Sequence, residues 1–114
     1  SDGHIKPMLP DLIPTGIAAY HPVERSAGMD LGECKRSHGH LITLLGNVST
    51  KTTLVSGSTD DVTEEVKDCL RAAAPGGRYI LASDHSIRGD VPNENVFALY
   101  DAGRRYGEYP IRLV

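Results

Sequence analysis

The sequence predicts an α/β fold in which parallel strands alternate with helices. Three apolar runs of strand length, at residues 16–20, 41–45 and 78–82, each end abruptly at polar, hydrogen-bonding residues. Segments with helical spacing lie between them, so the order is strand, helix, strand, helix, strand, helix. A parallel α/β sheet collects the carboxyl ends of its strands at one edge, and ligands bind there. The polar residues after each run are therefore candidates for a functional site.

Composition excludes several classes of function. The 114 residues include 12 basic and 15 acidic side chains and no run of Lys or Arg, so no nucleic acid partner is expected. No stretch approaches the roughly 20 apolar residues of a membrane span, and no signal peptide pattern is present. Cys34 and Cys69 are far apart and form no Cys-x-x-Cys motif, which favours reduced thiols in a cytoplasmic protein over a disulfide or a reactive thiol.

The first part of the chain predicts two helices around one strand. Apolar residues at helical spacing predict a helix over 4–15, which Pro14 ends. Residues 17–20 are small and apolar without alternation, as in a parallel strand buried on both faces. A loop over 22–29 follows. Asp30 is placed to cap a helix over 31–38.

The remaining elements follow the same order. A strand is predicted at 41–45, a helical turn at 51–56 and a strand at 78–82. Between the turn and the last strand, Ser58 opens a helix that stops at 75–77, and its buried face is predicted to consist of Val62, Val66, Cys69, Leu70 and Ala73. The last helix is predicted to hold Pro92 in its first turn and to bury Val96, Leu99, Tyr100 and Gly103. Residues 1–114 show no repeat and no linker, which indicates a single unit.

Five segments together resemble the uroporphyrinogen decarboxylase superfamily. They are Ser-Ala-Gly-Met-Asp-Leu at 26–31, Gly-Asn-Val at 46–48, Pro-Gly-Gly-Arg-Tyr-Ile-Leu at 75–81, Asp-Val-Pro-Asn-Glu-Asn-Val at 90–96 and Tyr-Gly at 106–107. The resemblance implies a TIM (β/α)₈ barrel, of which this chain would be the C-terminal half, from the end of strand five through helix eight. It also implies one of two chemistries. The decarboxylases remove carboxylates from uroporphyrinogen without a cofactor, and the methyltransferases use zinc to move methyl groups between corrinoid proteins and thiols.

The resemblance also implies roles for two residues. His85 falls where the decarboxylase has an active-site histidine just after strand eight, and where the methyltransferases have a cysteine that binds zinc. Asp2 stands where a second zinc-binding cysteine of the methyltransferases would be. This departure argues against a thiolate-rich zinc site. The decarboxylase residues that bind the substrate's carboxylates and pyrroles belong to the first half of the barrel, which this chain does not contain.

His85 is also the leading catalytic candidate from its position alone. It follows an apolar strand and is flanked by Ser83, Asp84 and Ser86. A neutral imidazole at that place can donate a proton to a carbanion-like carbon, hydrogen-bond a carboxylate or ligate a metal. The alternative is a loop histidine that hydrogen-bonds the neighbouring backbone. Asp84 is predicted to contact substrate.

Five further residues complete the predicted site. His21 follows the first strand as His85 follows the third, and Glu24 is placed to pair with either histidine as an acid–base partner. Asn47 presents an amide toward a ligand or hydrogen-bonds its own turn. Asp2 and His85 are oxygen and nitrogen ligands suited to zinc or another divalent ion, although their spacing is not diagnostic. Arg88, with Arg25, supplies the only basic groups expected near this edge, which disfavours porphyrinogen binding by this chain alone.

The predicted partners differ between the decarboxylase and the methyltransferase chemistry. A decarboxylase would bind a porphyrinogen and need no cofactor, whereas a methyltransferase would bind zinc, a methyl donor and a corrinoid protein. Four strands do not close a barrel, so the open sheet edges predict either a missing N-terminal half or self-association. The alternative to both enzyme functions is a half-barrel without catalytic activity that is stable only as a homo-oligomer.

Overall fold

The computed structural model describes residues 2–113, and its centre is an open sheet of three parallel strands. The strands are β1 (Ala19–Val23), β2 (Thr43–Val48) and β3 (Tyr79–Ser83), with β2 in the middle. Pairing of β2 with β3 is regular, whereas the pairing of β1 with β2 contains an irregularity between Tyr20 and Val23. The predicted parallel α/β class is confirmed, as a partial sheet that does not close.

Helices connect and cover the strands. They are α1 (Leu9–Leu12), α2 (Leu31–His38), α3 (Thr53–Ser56), α4 (Thr59–Ala73) and α5 (Asn93–Tyr106), with 3₁₀ turns at Lys6–Met8, Ile13–Thr15 and Arg25–Ala27. Helix α4 packs against α2 and α5 and against β2 and β3. Within residues 2–113, none of the helices has the length and hydrophobicity needed to cross a membrane.

The two capped helices form as predicted. The Asp30 side chain accepts a hydrogen bond from the Glu33 backbone N–H and opens α2. Ser58 and Asp61 form a reciprocal capping box at the start of α4. All five residues of the predicted apolar face of α4 are buried. Each cap contributes about 1 kcal/mol to stability, so these helix starts are encoded locally.

All three strands extend beyond the apolar runs that predicted them. The strands end at Val23, Val48 and Ser83, past the expected ends at 20, 45 and 82. Backbone hydrogen bonds between neighbouring strands do not depend on side-chain polarity, so pairing continues after the apolar residues stop. His21 and Asn47 therefore lie within strands and not in the loops after them.

The prediction of a strand buried on both faces is wrong for β1. Tyr20 is buried, but Ala19 and His21 on either side of it are exposed. Ile80 in β3 is 52% exposed. The helices cover one face of the sheet, and within residues 2–113 side chains on the other face, such as Ile80, remain exposed.

Two helix predictions are also corrected. The segment 4–15 is broken into a single α turn between two 3₁₀ turns, because three prolines lack the N–H groups that a continuous helix needs. In α5 the buried residues include Asn95, Leu99 and Ala102, whereas Tyr100 is 65% exposed. Pro92 is the N-cap of α5 and lies just outside its first turn.

Candidate active site at the carboxyl ends of the strands

Glu24, the residue after β1, is the centre of a buried hydrogen-bond network. Its side chain is 4% exposed. Oε1 accepts a hydrogen bond from the Gly3 backbone N–H at 2.8 Å, and Oε2 accepts from His85 Nε2 at 2.7 Å. Lys51 Nζ lies 3.1 Å from the same Oε2. These partners outweigh the effect of burial and lower the pKa of Glu24 to about 2, with the His85 hydrogen bond the largest cause. Glu24 is therefore a carboxylate at neutral pH.

His85 lies directly across the strand ends from Glu24, although the two are 61 positions apart in the sequence. The imidazole is partly exposed, and its backbone carbonyl accepts a hydrogen bond from Ser83 Oγ at 2.7 Å. Because Glu24 is ionised, the shared hydrogen belongs to His85 Nε2. The Glu24 contact thus orients the imidazole ring toward the end of β1.

Asp2 completes a group of three possible metal ligands. Each residue offers one ligand atom, and these three atoms, from Asp2, Glu24 and His85, all lie within 4.8 Å of one another. Asp2 is exposed, whereas Glu24 is buried. Two carboxylate oxygens and one imidazole nitrogen form a donor set that zinc accepts, as do other divalent ions. The residues present therefore fit a divalent metal without any thiolate.

A cavity of about 420 Å³ lies beside this group. Its lining includes both acidic and basic side chains: Asp2, Lys51, His85, Arg88 and Asp90. Thr50, Ser86 and the apolar Val55 and Val91 complete the lining. A small polar molecule that enters this cavity therefore lies next to His85.

Lys51 is the site residue that the sequence reasoning missed. The predicted strand end at residue 45 places Lys51 in a helical turn at 51–56 and not at the strand end. In the structure β2 continues to Val48, and Lys51 follows three residues later at the sheet edge. With the strand end at Val48, Lys51 is one of the polar residues that follow a strand, and this is the sequence signal that would have identified it.

Asn47 lies in β2 with its side chain buried. Its amide nitrogen donates to the Val23 carbonyl at 3.0 Å and to the Met29 carbonyl at 3.1 Å. It thereby holds both ends of the loop that carries Glu24. These carbonyls belong to the loop after β1 and not to the turn at Asn47 itself, and substrate contact by Asn47 stays a prediction.

Asp84 is fully buried and accepts hydrogen bonds from the loop after β2. Its Oδ1 accepts hydrogen bonds from the backbone N–H and the hydroxyl of Thr50, both at 3.0 Å. Its Oδ2 is the buried side-chain atom without a hydrogen-bond partner among residues 2–113. The contact with Thr50 positions the neighbouring Lys51. Substrate contact by Asp84 stays a prediction.

His21 crosses the sheet instead of joining Glu24. Its Nε2 donates to the Ser83 carbonyl at 3.2 Å, although β1 and β3 are not adjacent. The ring passes close to Gly46, where an added Cβ would lie 3.5 Å from His21 Cδ2. That distance is ordinary van der Waals contact, so glycine at position 46 is favoured by its positive φ of 115° and by the Val23 backbone nitrogen, 3.3 Å from an added Cβ, and not by His21.

The two predicted arginines have different surroundings. Arg88 is exposed and lines the cavity. Arg25 donates from Nε to the Asn47 carbonyl at 3.0 Å and lies 3.6 Å from Glu65 of α4. Arg25 therefore lies at this edge, with its side chain directed toward α4. The expectation that Arg25 and Arg88 are the only basic groups there is wrong, because Lys51 also lies beside Glu24.

Comparison with known proteins agrees with the resemblance read from the sequence. The family model described as uroporphyrinogen decarboxylase (URO-D) matches residues 1–106. A methyltransferase from Methanosarcina mazei has a similar solved structure, with a TM-score of 0.78 and 31% sequence identity over 94% of this chain. This chain spans 30% of the length of that methyltransferase. No curated protein matches. The resemblance is confirmed, and the chain belongs to the uroporphyrinogen decarboxylase family.

Proposed function

We propose that this protein forms part of a metal centre for methyl transfer involving a small molecule, with Asp2, Glu24 and His85 as the ligands. The observation that carries the proposal is the convergence of these three donors within 4.8 Å at the strand ends, beside a cavity. The similarity to the Methanosarcina mazei methyltransferase supports the same reading. Zinc is the proposed ion, because it accepts this donor set.

When bound, zinc would supply a Lewis acid that holds a nucleophile in its anionic form. The other tasks fall to residues of this chain. The Gly3 backbone N–H fixes one oxygen of Glu24, which keeps the carboxylate in place. Asp84 holds the loop that carries Lys51. Lys51 and Arg88 bring positive charge to the cavity, which suits an anionic group on the substrate.

The proposed site belongs to a larger barrel. The three strands are proposed as the last three of a TIM barrel, in the C-terminal half that runs from the end of strand five through helix eight. The open face of the sheet and the 30% coverage of the related methyltransferase support this position. Closure then requires further strands, from additional chain or from a second copy. A methyl donor or corrinoid protein as partner and a cytoplasmic location are proposed with the methyltransferase function.

Zinc titration of the metal-free protein by calorimetry tests the metal centre. We expect one zinc ion per site and at least tenfold weaker binding by His85→Ala, because one of three ligands is lost. His40→Ala is the matched control, since His40 is exposed and is not among the three ligands. Absence of binding, or equal weakening in both variants, would contradict the proposal.

A second function is favoured by one observation. The hydrogen bond to the ionised Glu24 holds the His85 ring beside the cavity, and an imidazole in that place can act as a general acid that gives a proton to a carbanion-like carbon after decarboxylation. Decarboxylation would need no cofactor. Release of carbon dioxide from a carboxylate substrate that persists in the presence of a chelator and disappears in His85→Ala would select this function over methyl transfer.

A further inference from the structure

Glu24 already has a cation beside it. The Lys51 ammonium group lies 3.1 Å from Glu24 Oε2, which is the oxygen that also accepts the His85 hydrogen bond. The Glu24 side chain is 4% exposed, and a carboxylate so deeply buried requires a compensating charge. Asp2 brings a second negative charge to the same place. Lys51 therefore supplies the positive charge that a metal ion would otherwise bring.

Both oxygens of Glu24 are occupied by these partners. Oε1 accepts from Gly3, and Oε2 accepts from His85, from Lys51 and, at 3.4 Å, from the Ser26 hydroxyl. A metal ion that binds Oε2 must take over a position now held by one of these groups, and Lys51 is the one whose positive charge the ion replaces. His85 is itself a proposed ligand of that ion. Lys51 is the partner free to leave, because its side chain is 63% exposed and has a flexible stem.

We propose that Lys51 and a divalent metal ion bind Glu24 in mutually exclusive ways, so that Lys51 limits the affinity of the site for metal. The inference rests on the metal centre proposed above. Metal binding would exchange the ammonium group for the ion, and the hydrogen on His85 Nε2 would have to leave that nitrogen, for Nδ1 or for solvent, before Nε2 could be a ligand. The freed ammonium group stays beside the cavity that Lys51 lines.

Zinc titration of three variants tests the exchange. Lys51→Met keeps most of the aliphatic stem and removes the charge, so we expect about tenfold tighter zinc binding than in the unaltered protein. Lys51→Arg keeps a cation beside Glu24 and is expected to bind with an affinity within about threefold of that of the unaltered protein. Arg88→Met is the charge control, because Arg88 lines the same cavity without an ion pair to Glu24 among the described residues. Its affinity is expected to change less than about twofold.

The outcomes separate this inference from the proposed metal centre. Tighter zinc binding by Lys51→Met than by the unaltered protein, with Arg88→Met unchanged, supports the competition. Equal affinity of Lys51→Met and the unaltered protein overturns the competition and leaves the metal centre intact. Equal tightening by Lys51→Met and Arg88→Met also overturns it, because a general charge effect then explains the result. Absence of binding in every variant overturns both proposals.

Discussion

At the scale of single residues, one buried carboxylate organises the site. Glu24 receives hydrogen bonds from the chain before β1 and from His85 after β3, and it pairs with Lys51 after β2. These partners come from three separate segments, so Glu24 links the ends of all three strands. Hydrogen bonds to charged groups each contribute about 1.5–3 kcal/mol, more than neutral ones do.

Replacement of this carboxylate should therefore be costly. We expect Glu24→Gln to lower the free energy of unfolding by about 1–3 kcal/mol, because the buried amide cannot compensate Lys51 and His85. Urea unfolding measures the change. The matched control is Glu64→Gln, since Glu64 is 67% exposed and its ion pair with Lys67 lies on the surface of α4. That control should change stability by less than about 0.5 kcal/mol. Equal losses in both variants would contradict the central position of Glu24.

The two cysteine thiols should be unreactive in the folded protein. Both are free and buried, and burial raises the pKa of Cys34 and of Cys69 above the ordinary value. Because the thiolate is the reactive form, a raised pKa leaves less of it at any pH below that pKa. We expect slow alkylation by iodoacetamide at mildly alkaline pH and rapid alkylation of both thiols after denaturation. Fast labelling of the native protein, measured by mass spectrometry, would contradict this expectation.

At the scale of secondary-structure elements, Asn47 joins β2 to the loop after β1. It adopts a positive φ of 81° and donates two buried hydrogen bonds across that loop. The sequence indicated a polar residue at a strand end but not this contact. Its amide reaches Val23 and Met29, and that reach depends on how β1 and β2 align. Helix α4, by contrast, was predicted with its buried face, because its cap and its apolar spacing are local features.

Two substitutions at Asn47 separate hydrogen bonding from backbone strain. Asn47→Gly accepts the positive φ and loses the two hydrogen bonds, so we expect a loss of about 2–3 kcal/mol in unfolding free energy. Asn47→Ala should lose about 1 kcal/mol more, because alanine also carries the strain of the left-handed backbone. Chemical denaturation of both variants measures the difference. Equal stability would show that the backbone relaxes at this position.

At the scale of the whole molecule, the sheet has an open face and open edges. Order β1-β2-β3 leaves β3 at one edge of the described sheet, and Ile80 in β3 is 52% exposed. Phe97 and Tyr100 of α5 are 70% and 65% exposed. Unpaired strand edges with apolar side chains favour pairing with another chain. The 114-residue chain alone is therefore expected to self-associate.

Sedimentation velocity at micromolar concentration tests this expectation. Ile80→Glu places a charge on the open face of the sheet and should shift the chain toward the monomer. Met8→Glu is the matched control, because Met8 is similarly exposed, at 55%, but lies outside the sheet. A monomeric mass for the unaltered chain, or an equal shift in both variants, would count against association through the sheet.

The sequence by itself determined the order of strands and helices, the capped helices α2 and α4, and the family. These features depend on local spacing, on capping residues and on motifs that neighbouring residues form together. Only the tertiary structure decided which polar side chains meet. In the structure Glu24 accepts a hydrogen bond from His85 and not from His21. Lys51 pairs with the same Glu24 oxygen, Oε2, whereas Arg25 is directed toward the Asn47 carbonyl. Contacts between residues 61 positions apart depend on strand length and register, and backbone pairing continued past the apolar residues that marked each strand.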